Sequence, residues 1–207
     1  MNPTLTIDRA LDAMTRGVAA AQIEYSDWST EALYQAPEYM ATVAVARALA
    51  KVRGNGFVTL ESSAKDTLAE ARAKGRGRMK ADIRSNGRFD IVVHTSRGSP
   101  RIVVEVKCHV TKFEVIQKDV ARILGVVCRN RSESTISFGA VTFMTSFQDD
   151  KTFTGKERVS KTIENLATRA GEVSDDRARV IVKHSPIKDD FGLAWSAVAI
   201  AFRPRAA

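Results

Sequence analysis

Ile7, Leu11, Met14 and Val18 recur at alternating spacings of four and three, which puts them on one face of an opening helix. Asp8, Arg9 and Arg16 fall elsewhere on it. The apolar face must be covered, either by the rest of the chain or by a second copy in a homodimer. Ser26, Asp27, Ser29 and Thr30 form a polar break and supply N-cap candidates for a second helix running to about Val52, with Pro37 as the alternative start. Gly54-Asn55-Gly56 ends that helix as a C-cap and turn, and the β-branched and aromatic run Phe57-Val58-Thr59-Leu60 predicts the first strand.

Phe89 to Thr95 predicts a second strand, Arg97-Gly98-Ser99-Pro100 a turn, and Arg101 to Val110 a third strand that completes a hairpin. Phe113, Ile116, Val120, Ile123, Leu124 and Val127 then form the apolar stripe of a helix. Ile136 to Phe147 returns to strand, Glu157 to Ala170 is helical through Val159, Ile163 and Leu166, and strands follow over 179–184 and 193–202. This order fits a three-layer α/β fold with a central mixed β-sheet flanked by helices. No internal repeat or low-complexity linker divides residues 1–207, so the chain reads as one domain, with residues 1–30 as an N-terminal helical extension.

Composition narrows the class. With 44% hydrophobic and 27% charged residues the chain is neither disordered nor a membrane protein. No uncharged apolar run spans a bilayer, and Asp8 and Arg9 stand where a secretory signal would be apolar, so the expected location is cytoplasmic. Cys108 and Cys128 are too few for a disulfide framework and read as reduced thiols.

The formal net charge of +8 favours polyanionic partners, either nucleic acid or anionic lipid. Residues 65–88 hold eight basic side chains against three acidic ones, 8 − 3 = +5, more than half of the excess. Within that stretch Lys74, Arg76, Arg78, Lys80, Arg84 and Arg88 are the candidate nucleic-acid contacts, suited to phosphate rather than base reading. The bland alternative is a solvated cationic loop. Neither Gly54-Asn55-Gly56 nor Gly75-Arg76-Gly77 continues into the pattern of a nucleotide-cradling loop, so ATP binding is not expected.

The candidate chemistry lies in the hairpin. Alternation places Asp90, Val92 and His94 on one face of their strand, and Glu105 and Lys107 on one face of the next. If the strands pair, Asp90 and Glu105 converge, and two carboxylates at close range repel unless a cation lies between them. Oxygen ligands of this kind suit Mg²⁺ or Mn²⁺. Ile102, Val103, Val104 and Val106 make the strand apolar on both faces, where a charge calls for a functional reason. His94 and His109 lie close by and read as packing residues, and Glu61 is a spare carboxylate.

Asp90 followed, after a hairpin turn, by Glu105-Val106-Lys107 resembles the motif of the PD-(D/E)xK, or restriction-endonuclease-like, nuclease superfamily. The resemblance covers roughly residues 35 to 150 and includes a helix bearing Glu38 before the first strand and a helix, strand, helix order from Phe113 to Ala170. Phe89 replaces the name-giving proline. In the recombination-exonuclease branch a helix carries glutamine and tyrosine four apart, whereas Gln117 is followed at that distance by Ala121.

The resemblance implies that Asp90, Glu105 and the main-chain carbonyl of Val106 bind the metal and that Lys107 orients or helps to deprotonate the attacking water. Glu38 would complete the acidic cluster, and Gln117 would face the site from the following helix. The implied activity is metal-dependent hydrolysis of phosphodiester bonds in DNA. The rival readings are a catalytically silent nucleic-acid-binding module within a larger assembly and a small domain whose basic loop meets an acidic protein.

Overall fold

Ile102, Val103, Val104 and Val106 are fully buried although successive strand residues point to opposite sides, so their strand lies inside a sheet with both faces covered. In the computed structural model, which describes residues 5–74, 83, 86–190 and 192–205, seven strands form one sheet. They are β1 (Phe57–Ser63), β2 (Arg88–His94), β3 (Pro100–His109), β4 (Phe138–Gln148), β5 (Ala178–His184), β6 (Lys188–Asp190) and β7 (Leu193–Pro204). The order is β1-β2-β3-β4-β7-β5, with β6 pairing β7. Among the described residues only the β3–β4 pair is parallel, so the sheet is mixed as expected.

Helices cover both faces. Helix α1 (Ile7–Ser29) and helix α2 (Glu38–Ala50) pack on the face bearing Ile91, Val93, Ile102, Val104 and Val106. Helices α3 (Ala64–Glu70), α4 (Gln117–Val127) and α5 (Gly155–Ser174) pack on the face bearing Val92, Val103 and Val141. The opposite sides taken by Ile91 and Val92 follow the alternation read from sequence. Leu11, Met14 and Val18 are fully buried in the first of these cores, so the stripe of the opening helix is covered by the chain itself and is not open to a second copy. Gly17 allows α1 and α2 to touch, because a Cβ there would lie 2.6 Å from Val45 Cα. Among the described residues no helix is long and apolar enough to cross a membrane.

Several boundaries differ from expectation. The polar break Ser26 to Thr30 does not cap the second helix. Helix α1 continues through Ser29 and ends at Thr30, whose left-handed φ of 60° and amide bond to the Ser26 carbonyl make it a C-cap. Pro37 is the N-cap position of α2. The helix expected from Phe113 begins as a 3₁₀ turn, Phe113–Val115, and α4 starts at Gln117. Helix α5 starts two residues early because Thr154 and Glu157 form a capping box. Strand β6 was not expected; it is three residues long and wholly exposed, with no alternation to mark it.

Candidate active site

The β2–β3 ladder ends where the charged residues begin. Its last paired position there is Ile91 with Val104, and the next link is made by a side chain: Asp90 Oδ2 accepts the Val106 amide at 2.7 Å. The amide and carbonyl of one strand residue point to the same neighbour, so the Val106 carbonyl also faces this fork. Oδ1 of Asp90 has no hydrogen-bond partner among the described residues. Burial raises the Asp90 pKa; the Val106 amide and Lys107 oppose the rise, and the charges of Glu38 and Glu61 add to it.

Glu105 lies deeper, 3% exposed. Its Oε1 accepts a bond from Arg122 Nη1 at 2.7 Å. Arg122, on α4, also donates to the carbonyls of Arg88 at 2.8 Å and Ile83 at 3.2 Å, and packs over the Phe89 ring. Its Nη2 is buried without a hydrogen-bond partner among the described residues. Burial pushes the Glu105 carboxyl up to about 8; the Arg122 guanidinium pulls it down but does not offset that cost, to which the charges of Asp90 and Asp119 add.

Lys107 links the two helical layers. Its Nζ is 3.1 Å from Glu38 Oε1 on α2 and 3.8 Å from Asp119 Oδ2 on α4. Burial works against the ammonium, but Asp119, Glu38 and Asp90 outweigh it, and the Lys107 pKa is raised. Lys107 is therefore a fixed cation.

The structure thus brings Asp90, Glu105, Val106, Lys107 and Glu38 to one end of the β2–β3 pair. Gln117 is not joined to this group: it opens α4, is exposed, and has no hydrogen bond to these residues among the described ones. Asp119 and Arg122, three apart on the same helix, face the site instead. Of the basic residues, Lys74 and Arg88 are exposed, while Arg76, Arg78, Lys80 and Arg84 lie outside the described residues. His94 stacks on Phe57 and bonds Thr59 and the Gly98 carbonyl, and His109 contacts Ser146 and Tyr34, so both are held in packing. Glu61 sits on β1 between the pairs Leu60–Ile91 and Ser62–Phe89, opposite Asp90, with a left-handed φ of 50° that non-glycine residues rarely adopt.

Among the described residues no three His, Cys, Asp or Glu side chains gather closely enough to hold a metal by themselves. Mg²⁺ needs only one or two carboxylates and keeps several waters. A pair of carboxylates with the free Oδ1 of Asp90, beside a main-chain carbonyl, fits that requirement. No family model, curated protein or solved structure matches this chain.

Proposed function

We propose that this chain is a restriction-endonuclease-like nuclease of the PD-(D/E)xK type, acting in the cytoplasm, that hydrolyses phosphodiester bonds in DNA with Mg²⁺ or Mn²⁺. The observation that carries the reading is the meeting of Asp90 and Glu105, both with raised pKa values, beside the fixed cation of Lys107. A cation between the carboxylates would relieve the strain that their burial and proximity create.

Asp90, Glu105 and the Val106 carbonyl would hold the metal. When bound, it supplies charge neutralisation at the phosphoryl oxygens and a lowered pKa for its water. The chain's own residues do the rest. Lys107, kept protonated by Glu38 and Asp119, donates hydrogen bonds that orient the attacking water or the phosphate; its raised pKa suits it poorly to removing a proton. Glu38 and Asp119 hold the ammonium at the fork from opposite layers.

One observation favours the silent binding module as a second reading. Arg122 already gives Glu105 a cationic partner at 2.7 Å, the position a metal would share.

The deciding experiment is cleavage of plasmid and single-stranded DNA with Mg²⁺, Mn²⁺ or chelator, comparing wild type with Asp90→Ala and Lys107→Ala. Metal-dependent cutting abolished by both substitutions supports the nuclease. Binding without cutting under either metal supports the module.

A further inference from the structure

Away from the fork, the α1–α2 pair carries a second feature that the proposed chemistry does not use. The helices are antiparallel, with the start of α1 beside the end of α2. There a depression of about 310 Å³ is lined by Arg9, Arg16, Lys51 and Arg53, with Asp12 as its only acid among the described residues. Arg9 and Arg16 are seven apart and so share a helix face. Asp12 is already engaged by Lys183 at 2.6 Å. None of the four lining cations has an ion-pair partner among the described residues, and all four are exposed. Four unpaired cations around one concavity repel one another, and an anion relieves that repulsion.

We infer that this depression is a phosphate site for the backbone of a nucleic acid, separate from the cleavage site. The inference rests on the nuclease reading for the identity of the anion. Its position fits that role: Glu38 and Lys51 are thirteen residues apart along α2, about 20 Å at the helical rise. One strand of a duplex carries a phosphate about every 3.4 Å, so the depression would grip the backbone about six nucleotides from the bond at the fork. The opposite end of the pair carries Glu24, Asp27 and Glu31, so the polyanion is drawn to the basic end. Base edges play no part, and the grip is independent of sequence.

The test is fluorescence anisotropy with a labelled 20-mer duplex and its single strand, in chelator so that binding is read without cleavage. The full chain is compared with Arg16→Glu/Lys51→Glu and with the charge-preserving Arg16→Lys/Lys51→Arg. Circular dichroism checks that each variant is folded. The expected result is at least a tenfold loss of affinity for the charge-reversed variant, a salt slope smaller by about 2, and near wild-type binding for the charge-preserving one. Equal binding by all three proteins overturns the inference. So does a charge-reversed variant that keeps its oligonucleotide affinity but loses binding to vesicles containing phosphatidylserine, which would assign the site to a lipid surface. Loss of binding by the charge-reversed variant, together with a wild type that never cuts DNA, would leave the phosphate site standing and remove only the nuclease. Cutting that is indifferent to the variant would do the reverse.

Discussion

The Arg122 guanidinium and the Glu105 carboxylate meet at 2.7 Å with both side chains 4% exposed. Breaking such a pair from one side is costly, because the remaining charge stays buried. Arg122→Met also strips the Arg88 and Ile83 carbonyls of their donor. It should destabilise the protein by about 3–5 kcal/mol, and Arg122→Met/Glu105→Met should recover the part of the loss that comes from the unpaired carboxyl. Urea unfolding of the three proteins measures this; additive losses would show that the two side chains act separately.

Glu105 also makes stability depend on pH. Its folded pKa, about 8, lies above the ordinary 4.5, so the folded state holds the proton more tightly than the unfolded chain. The resulting stability is complete below about pH 4.5 and is lost as pH rises through about 8. Wild type should therefore lose stability on the order of a few kcal/mol between pH 5 and pH 9 relative to Glu105→Gln. Parallel pH profiles for the two proteins would mean that Glu105 is ionised in the fold throughout.

Lys107→Met removes the fixed cation from the fork. We expect a loss of 10² or more in cleavage rate with DNA affinity within a few-fold of wild type. Glu38→Gln, which loosens Lys107 without removing it, should cost about tenfold. Single-turnover rates with saturating enzyme separate the two effects from binding. A Glu38→Gln defect as deep as that of Lys107→Met would mean that Glu38 acts on the substrate directly.

Gly17→Ala tests the helix contact. Alanine gains up to about 1 kcal/mol of helix propensity over glycine, but its Cβ would stand 2.6 Å from Val45 Cα and 2.9 Å from Val45 N. Backbone cannot swing away as a side chain can. The net effect should be a loss of about 1–3 kcal/mol, read as a lower melting temperature; a stabilised variant would show that the helices separate freely.

Strong alternation made the centre of this fold legible. Ile91 and Val93 against Asp90 and Val92 defined both the strand and the side on which the charges would lie. Signals that depend on local backbone geometry were less legible. Ser26 to Thr30 have N-cap chemistry, but capping is decided by φ and ψ, and an exposed last helical turn tolerates the same residues. Thr154-Gly155-Lys156-Glu157 did carry a readable capping box. In the site, Asp90, Glu105, Lys107 and Glu38 were within reach of pattern reasoning because they lie on elements with clear periodicity. Asp119 and Arg122 were hidden because polar residues on a helix with an apolar stripe normally face water. Their one signal is their spacing of three, which sets an acid and a base on the stripe beside Val120 and Ile123. Glu61 reads from the sequence only as a spare carboxylate, since nothing in the pattern announces its left-handed φ of 50° within β1.

Asp90 replaces a missing rung of the β2–β3 ladder with its own carboxylate. If Asp90 holds a metal as proposed, clasp and ligand are the same group. Any ion that draws on Asp90 also alters how firmly the two strands are fastened, and the Val106 amide hydrogen becomes a natural gauge of occupancy. Its solvent-exchange rate links what is bound at the end of the sheet to how readily that end comes undone.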